Sequence, residues 1–397
     1  MVITRDQLFS LLSEACEIEH SLACAYLYAA FSLRHSPERK LAWRKQQLIR
    51  KWAGQLYFVA SQEMLHLAQA WNLLTAIGGT PYFMRPSTPQ PKGYWPLPAA
   101  LTLQRFSVKS VERFLQWEAP QEFDAKVRVN FSRWKHDVTD PDLRFRSVGE
   151  LYDVIANGIK SMPQDDLFLG NPSLQIGPDL VDFPDLLRVM DRPSAIEAIR
   201  RVQHQGEGIK ADREDSHFGI YYEMRDELQA ELEDDPTFDP AFPALDNPTT
   251  QARPGANRVI DQTTREAMVM FNDLYVLSMR LLGWVFGPGS PHDPQTQAQA
   301  RAFARAGVGM MPVILKPLGE ALARLPSGDG LHTAGAPFAL QRHVLLTENA
   351  AVARRLVIER ILELSARAES LAQRPELNEA LGWLPGQLSW LRHQVTS

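Results

Sequence analysis

Two short stretches of this sequence place a histidine three residues after a glutamate: Glu63-Met64-Leu65-His66 and Glu214-Asp215-Ser216-His217. On an α-helix, residues three apart stand one above the other on the same face, so each pair can present a carboxylate and an imidazole to one metal ion. A single pair carries little weight, because helices are rich in glutamate. Two pairs in one chain point to a bundle-type carboxylate metal site, which takes such a pair from each of two helices and one further glutamate from each of two others. Carboxylate and imidazole donors suit iron or manganese better than a soft-ligand metal.

The helices that must carry these ligands are visible in the apolar periodicity. The first is expected from a Thr4 or Asp6 cap to about Leu33, and Glu19 interrupts its stripe of Leu12, Ala15, Cys16, Ala23, Tyr26, Leu27 and Ala30. Glu19 is either an edge acid reaching water or a buried acid that needs a cation. Tyr26 lies two turns further along the same stripe; Glu14 and Glu17 fall on flanking faces. A second long helix, about Trp43 to Ile77, carries Glu63 and His66 and ends at Gly78-Gly79-Thr80-Pro81, where glycine caps and proline blocks resumption.

Residues 81 to 98 hold six prolines and no helical period, which predicts an irregular excursion. A short helix from Ser107 or Ser110 ends with Glu118 before Pro120; Glu118 is a further acid, but its helix is short and it is not part of the expected ligand set. Ser147 and Glu150 have capping-box spacing at the head of the next helix, so Glu150 reads equally well as a backbone cap and as a ligand. After a polar loop from Pro163 to Pro193, placed to cover a site, one helix is expected to run from Pro193-Ser194 through Glu207 and Glu214 to His217 and Tyr221. Glu207 and Glu214 would lie about 10 Å apart along a straight helix, too far to share one ion, but Gly206 and Gly208 flank Glu207 and make a bulge there reasonable. Three further helical segments, about 258–286, 295–325 and 349–371, and a final one near 375–394, read as structural.

Composition restricts the function classes. The chain has 397 residues, 45% hydrophobic, with a formal net charge of −5 and no run of Lys and Arg, so nothing favours a nucleic-acid partner. Cys16 and Cys24, eight apart on one expected helix, would lie about 12 Å apart, too far for a disulfide. No export signal and no apolar run of about 18 residues is visible, so a cytoplasmic protein without a membrane span is expected. Phosphate-cradling loops, nucleophile elbows and zinc-type cysteine patterns are absent.

The sequence also resembles a known family. Glu17-Ile18-Glu19-His20 followed by Tyr26-Leu27, Glu63 and His66-Leu67 with Asn72-Leu73-Leu74 and Ile77-Gly78-Gly79, Val148-Gly149-Glu150-Leu151-Tyr152, Gln205-Gly206-Glu207-Gly208 and Ser216-His217-Phe218 are similar to the ferritin-like proteins grouped with the iminophenylpyruvate dimer synthases of bisindole pigment biosynthesis. The likeness covers about residues 5 to 225, and Phe271-Asn272 to Tyr275 with Ala334 to Phe338 extend it.

The resemblance implies an all-α fold: a ferritin-like four-helix bundle with long inserted loops (residues 1–233) and an additional helical C-terminal part packed on it (residues 234–397). It implies a metal set drawn from Glu19, Glu63, His66, Glu150, Glu207, Glu214 and His217, one residue more than a six-ligand site uses. The function expected is that of a non-haem oxidoreductase holding two iron ions, or manganese in their place. It would use O2 or peroxide to oxidise an amino-acid-derived small molecule or a peptide in secondary metabolism, with Tyr26 supplying an electron or proton. A homo-oligomer is compatible with this. The competing expectations are an iron-storage protein, which would need shell assembly, and a metal-free structural bundle.

Overall fold

The computed structural model describes residues 3–35, 41–90, 94–95, 97, 100–120, 145, 147–206, 215–287, 294–340 and 344–396. Helix α1 (Arg5–Ser32) begins where the Thr4 hydroxyl accepts from the Gln7 backbone N–H and the Gln7 side chain accepts from that of Thr4, a reciprocal cap. Helix α2 (Trp43–Ala76) ends at Ile77, followed by Gly78 at φ +93°, a conformation that costs glycine nothing. Arg5 at the head of α1 donates to the Ile77 carbonyl at the foot of α2, so the two helices run antiparallel; their packing is the most extensive in the molecule.

This pair lies between two groups of helices. On one side are α3 (Val108–Trp117), α4 (Val148–Ser161), α6 (Arg192–Gly206) and α7 (His217–Asp234), joined through α1–α4, α2–α6, α2–α7, α3–α7 and α4–α6 contacts. A one-turn helix α5 (Gln164–Leu167) lies in the connection between α4 and α6. On the other side, α8 (Gln262–Phe286) packs on α9 (Pro294–Met310) and α10 (Lys316–Leu322), and α10 touches α1. Outside them, α11 (Ala350–Ala372), α12 (Pro375–Leu381) and α13 (Leu384–Thr396) close that face. One apolar core runs without a break from Ile3 to Val395. Strand structure among the described residues is limited to two-residue parallel segments, β1 (Pro248–Thr249) and β2 (Asn257–Arg258).

Three expectations change. The single helix drawn from Pro193 to Tyr221 is two helices, α6 and α7: Ser216 is extended (φ −79°, ψ 161°) and caps α7 by accepting from the Gly219 N–H, so α7 starts afresh at His217.

 The helix expected over 295–325 is interrupted by a π-helical turn, Met311–Leu315, where Pro312 has no N–H to give the α-helical ladder. The helix expected from residue 258 starts at Gln262, because Asp261 caps it through the Thr264 N–H. Helix α8 is long and apolar enough to cross a membrane by length and composition, but 83% of its apolar window is buried inside the protein, as in a core helix.

The loop from residue 163 to 193 is tied to α2. Asn72 donates to the Ile176 and Leu187 carbonyls and accepts from the Ile176 N–H, while Gln69 bonds both backbone groups of Leu187. These two side chains follow His66 by one and two turns, so the helix that carries the ligand pair also anchors this loop.

Candidate metal centre

Five side chains converge between α1, α2, α3 and α7. Glu19 comes from α1, Glu63 and His66 from α2, Glu118 from the residue closing α3, and His217 is the first residue of α7. All five are buried, between 0% and 4% exposed. They form two groups of three, Glu19–Glu63–His66 and Glu63–Glu118–His217, with the ligand atoms of each group within 4.8 Å of one another. Glu63 belongs to both groups.

The imidazoles are aimed by their far nitrogens. His66 Nε2 lies 2.9 Å from Gln205 Oε1, and His217 Nε2 lies 2.9 Å from Gln62 Oε1. An amide oxygen only accepts, so each Nε2 carries the proton and each Nδ1 faces the carboxylates. His66 Nδ1 is 3.5 Å from Glu19 and 3.6 Å from Glu63; His217 Nδ1 is 2.9 Å from Glu63 and 3.5 Å from Glu118. Both Glu63 oxygens and His217 Nδ1 are nevertheless buried without an aligned hydrogen bond. A shared cation would satisfy all of these close-set buried atoms at once, and the residues present fit one.

Electrostatics of the metal-free cluster agree. Burial opposes charge on Glu63, but the His217 and His66 contacts hold its carboxyl well below the usual range. Burial and then the Glu63 charge push Glu19 up to about 8. Burial opposes charge on the imidazoles as well, yet the carboxylates outweigh it, raising His66 and taking His217 to about 9. The cluster therefore holds protons where a metal would hold positive charge.

Two tyrosines brace the outer carboxylates. Tyr152 donates to Glu19 Oε1 at 2.7 Å, and Tyr26 donates to Glu118 Oε1. Tyr26 is enclosed by Phe114, Trp117 and Tyr221, and burial with the Glu118 charge keeps its hydroxyl protonated.

A ferritin-like family model matches residues 12–226, just over half of the chain. The chain belongs to the ferritin-like family. Two curated relatives are dichlorochromopyrrolate synthase of Lentzea aerocolonigenes, 28% identical over 94% of this chain, and 2-imino-3-(indol-3-yl)propanoate dimerase of Chromobacterium violaceum, 29% identical over 96%. This chain spans about two-fifths of their length, 40% and 38% respectively. A crystal structure of a ferritin-like protein from Caulobacter vibrioides has the same fold, with a TM-score of 0.50 and 18% identity, covering 86% of this chain and 99% of that one.

Within this ferritin-like bundle the structure brings Glu19, Glu63, His66 and His217 together and sets Tyr26 beside them. It does not bring in Glu150. That residue is half-buried on the face of α4 shared with exposed Asp153 and Asn157, nearly opposite Tyr152, and the Ser147 hydroxyl accepts from its backbone N–H. Glu207 and Glu214 lie outside the described residues. Glu17 is buried apart from the cluster, accepting from Tyr82 at 3.1 Å and Tyr94 at 3.4 Å, and burial pushes it up to about 7.

Glu118 is the ligand candidate that helix length alone missed. Its signal was available: a glutamate closing the apolar run of Phe114, Leu115 and Trp117 has little chance of reaching water. Gln62 and Gln205 gave no such signal, since their partners come from 155 and 139 residues away.

Proposed function

We propose that this bundle is a two-metal oxidoreductase centre, with iron as the metal and manganese as its alternative, acting on an amino-acid-derived small molecule in secondary metabolism. The observation that carries this reading is Glu63, whose two buried oxygens serve two separate Glu/His groups. Glu19 and His66 would hold one ion, Glu118 and His217 the other, and Glu63 both. A bundle site of this kind takes six residues. Glu207 is our choice for the sixth, on the likeness of Gln205-Gly206-Glu207-Gly208 to the family pattern and because its neighbour Gln205 already bonds His66.

Bound metal would supply activation of O2 or peroxide and the reversible redox changes that go with it. The chain's own residues do the rest. Gln62 and Gln205 keep the Nδ1 atoms aimed inward, Tyr152 holds Glu19, and Tyr26 keeps a proton on its hydroxyl beside Glu118, from which it can be passed to the site. Removing two electrons and two protons from the substrate balances reduction of one peroxide to two waters. Support for the substrate class comes from the names of the two relatives, one of which acts on an indole-bearing imino acid.

Metal analysis by mass spectrometry on protein from iron-supplemented cells, with an absorption spectrum, tests the reading. About two irons per chain in the wild type and loss of both in Glu63→Gln support it; metal-free protein under every loading condition defeats it.

A further inference from the structure

Across the α1–α2 pair from the metal centre lies a cavity of about 520 Å³, within the range of small-molecule sites. On α1 the metal centre uses Glu19 and Tyr26, whereas His20, Cys24, Leu27 and Phe31 line the cavity. On α2 the division is between Glu63 with His66 and Met64 with Ala68 and Trp71. At 100° per residue these are different faces of the same helices, so the pair stands between the two sites.

The cavity walls are mostly apolar; Ser61 and Lys316, the latter paired with Glu320 at 3.3 Å, are polar members of the lining, and at one end His20, Cys24 and Tyr275 meet. The Tyr275 hydroxyl bonds to His20 Nε2 and lies 3.3 Å from Cys24 Sγ. Behind it is Arg85, only 4% exposed. Its Nη2 donates to Tyr275 at 3.1 Å, to Cys24 at 3.4 Å and to the Phe338 carbonyl at 2.5 Å, and its Nη1 donates to the Pro86 carbonyl at 3.1 Å. None of these acceptors is a carboxylate, and Nε is buried with no acceptor at all.

A guanidinium stays charged, and a buried charge is costly unless an opposite charge compensates it. Among the described residues no carboxylate pairs with Arg85. A second feature marks the same cavity: Met311, Pro312 and Leu315 of the π-helical turn form part of its wall, and such turns are frequent at functional sites.

We propose that this cavity binds a small apolar or aromatic molecule carrying one anionic group, with the anion at the Tyr275–Cys24 end in the field of Arg85. The apolar body is held by dispersion and burial, and the anion supplies the charge that Arg85 lacks. The site is separate from the metal centre and does not depend on its occupancy.

Isothermal titration of the full chain with 2-naphthoate and its neutral isostere 2-naphthamide tests this. One naphthoate per chain is expected, with the amide weaker by about tenfold or more, since only the charge differs. Ala68→Phe, which fills the cavity, should remove binding of both, and Arg85→Gln should bring naphthoate down to the amide's affinity. If Arg85→Gln fails to fold by circular dichroism, the wild-type ratio and Ala68→Phe decide. Absence of naphthoate binding, equal affinity for the amide, or binding that survives Ala68→Phe overturns the proposal. So does loss of naphthoate binding in Glu63→Gln, which would place the ligand at the metal centre; failure of the metal reading is seen separately, in the metal content.

Discussion

Replacing Glu63 should behave differently from replacing any other residue of the cluster, because it alone belongs to both groups of ligands. Glu63→Gln keeps the shape and removes the charge. Loss of hydrogen bonds that merely orient a ligand typically weakens metal binding 10- to 100-fold, so loss of a shared ligand should cost at least about 100-fold at both positions, or about 2.7 kcal/mol each. Glu19→Gln and Glu118→Gln should each affect one ion. Metal content after dialysis against a graded chelator would then read about two ions for wild type, about one for each outer variant and near zero for Glu63→Gln. Thermal melting of the metal-free proteins is the control, because removing one partner of a buried charge pair costs about 3–5 kcal/mol by itself. Equal losses of metal in all three variants, measured well below each variant's own metal-free melting temperature, would refute the shared-ligand geometry.

Other outcomes follow from the same structure. Gln62→Leu and Gln205→Leu should each weaken metal binding about 10- to 100-fold by freeing an imidazole, whereas Gln69→Leu, one turn from His66, should loosen the 163–193 loop and leave metal affinity alone; competition with a chelating dye measures both. Folding raises His217 from 6.5 to about 9, so the metal-free protein carries a stabilisation that is complete below 6.5 and lost as pH rises through about 9, and Glu19, raised from 4.5 to about 8, acts in the same direction. Denaturant titrations should therefore show metal-free stability falling across that window, while metal uptake strengthens with pH as the imidazole protons leave. Tyr26→Phe should leave metal content intact and slow turnover of an identified substrate, measured by product formation under O2. Gly170→Ala should destabilise by about 3 kcal/mol or more in a denaturant titration, since its Cβ would lie 1.7 Å from the Thr75 carbonyl oxygen at the end of α2.

Local sequence was enough for the helical class and for half of the centre. The stripe that Glu19 interrupts, the Glu63–His66 spacing and the Gly78 stop all depend on neighbours within a few turns, and helical periodicity reports such neighbours directly. Spacing misled where one continuous helix was assumed: Ser216 is extended, so His217 reaches the cluster as the first residue of α7, and on α4 it is Tyr152, nearly opposite Glu150, that faces Glu19. The placing of Glu118 opposite Glu63, the pairing of Gln62 and Gln205 with the two imidazoles, and the sharing of Glu63 between two groups arise from contacts between helices distant in the chain. No local pattern encodes them, because they are set by how the packed faces bring those helices together.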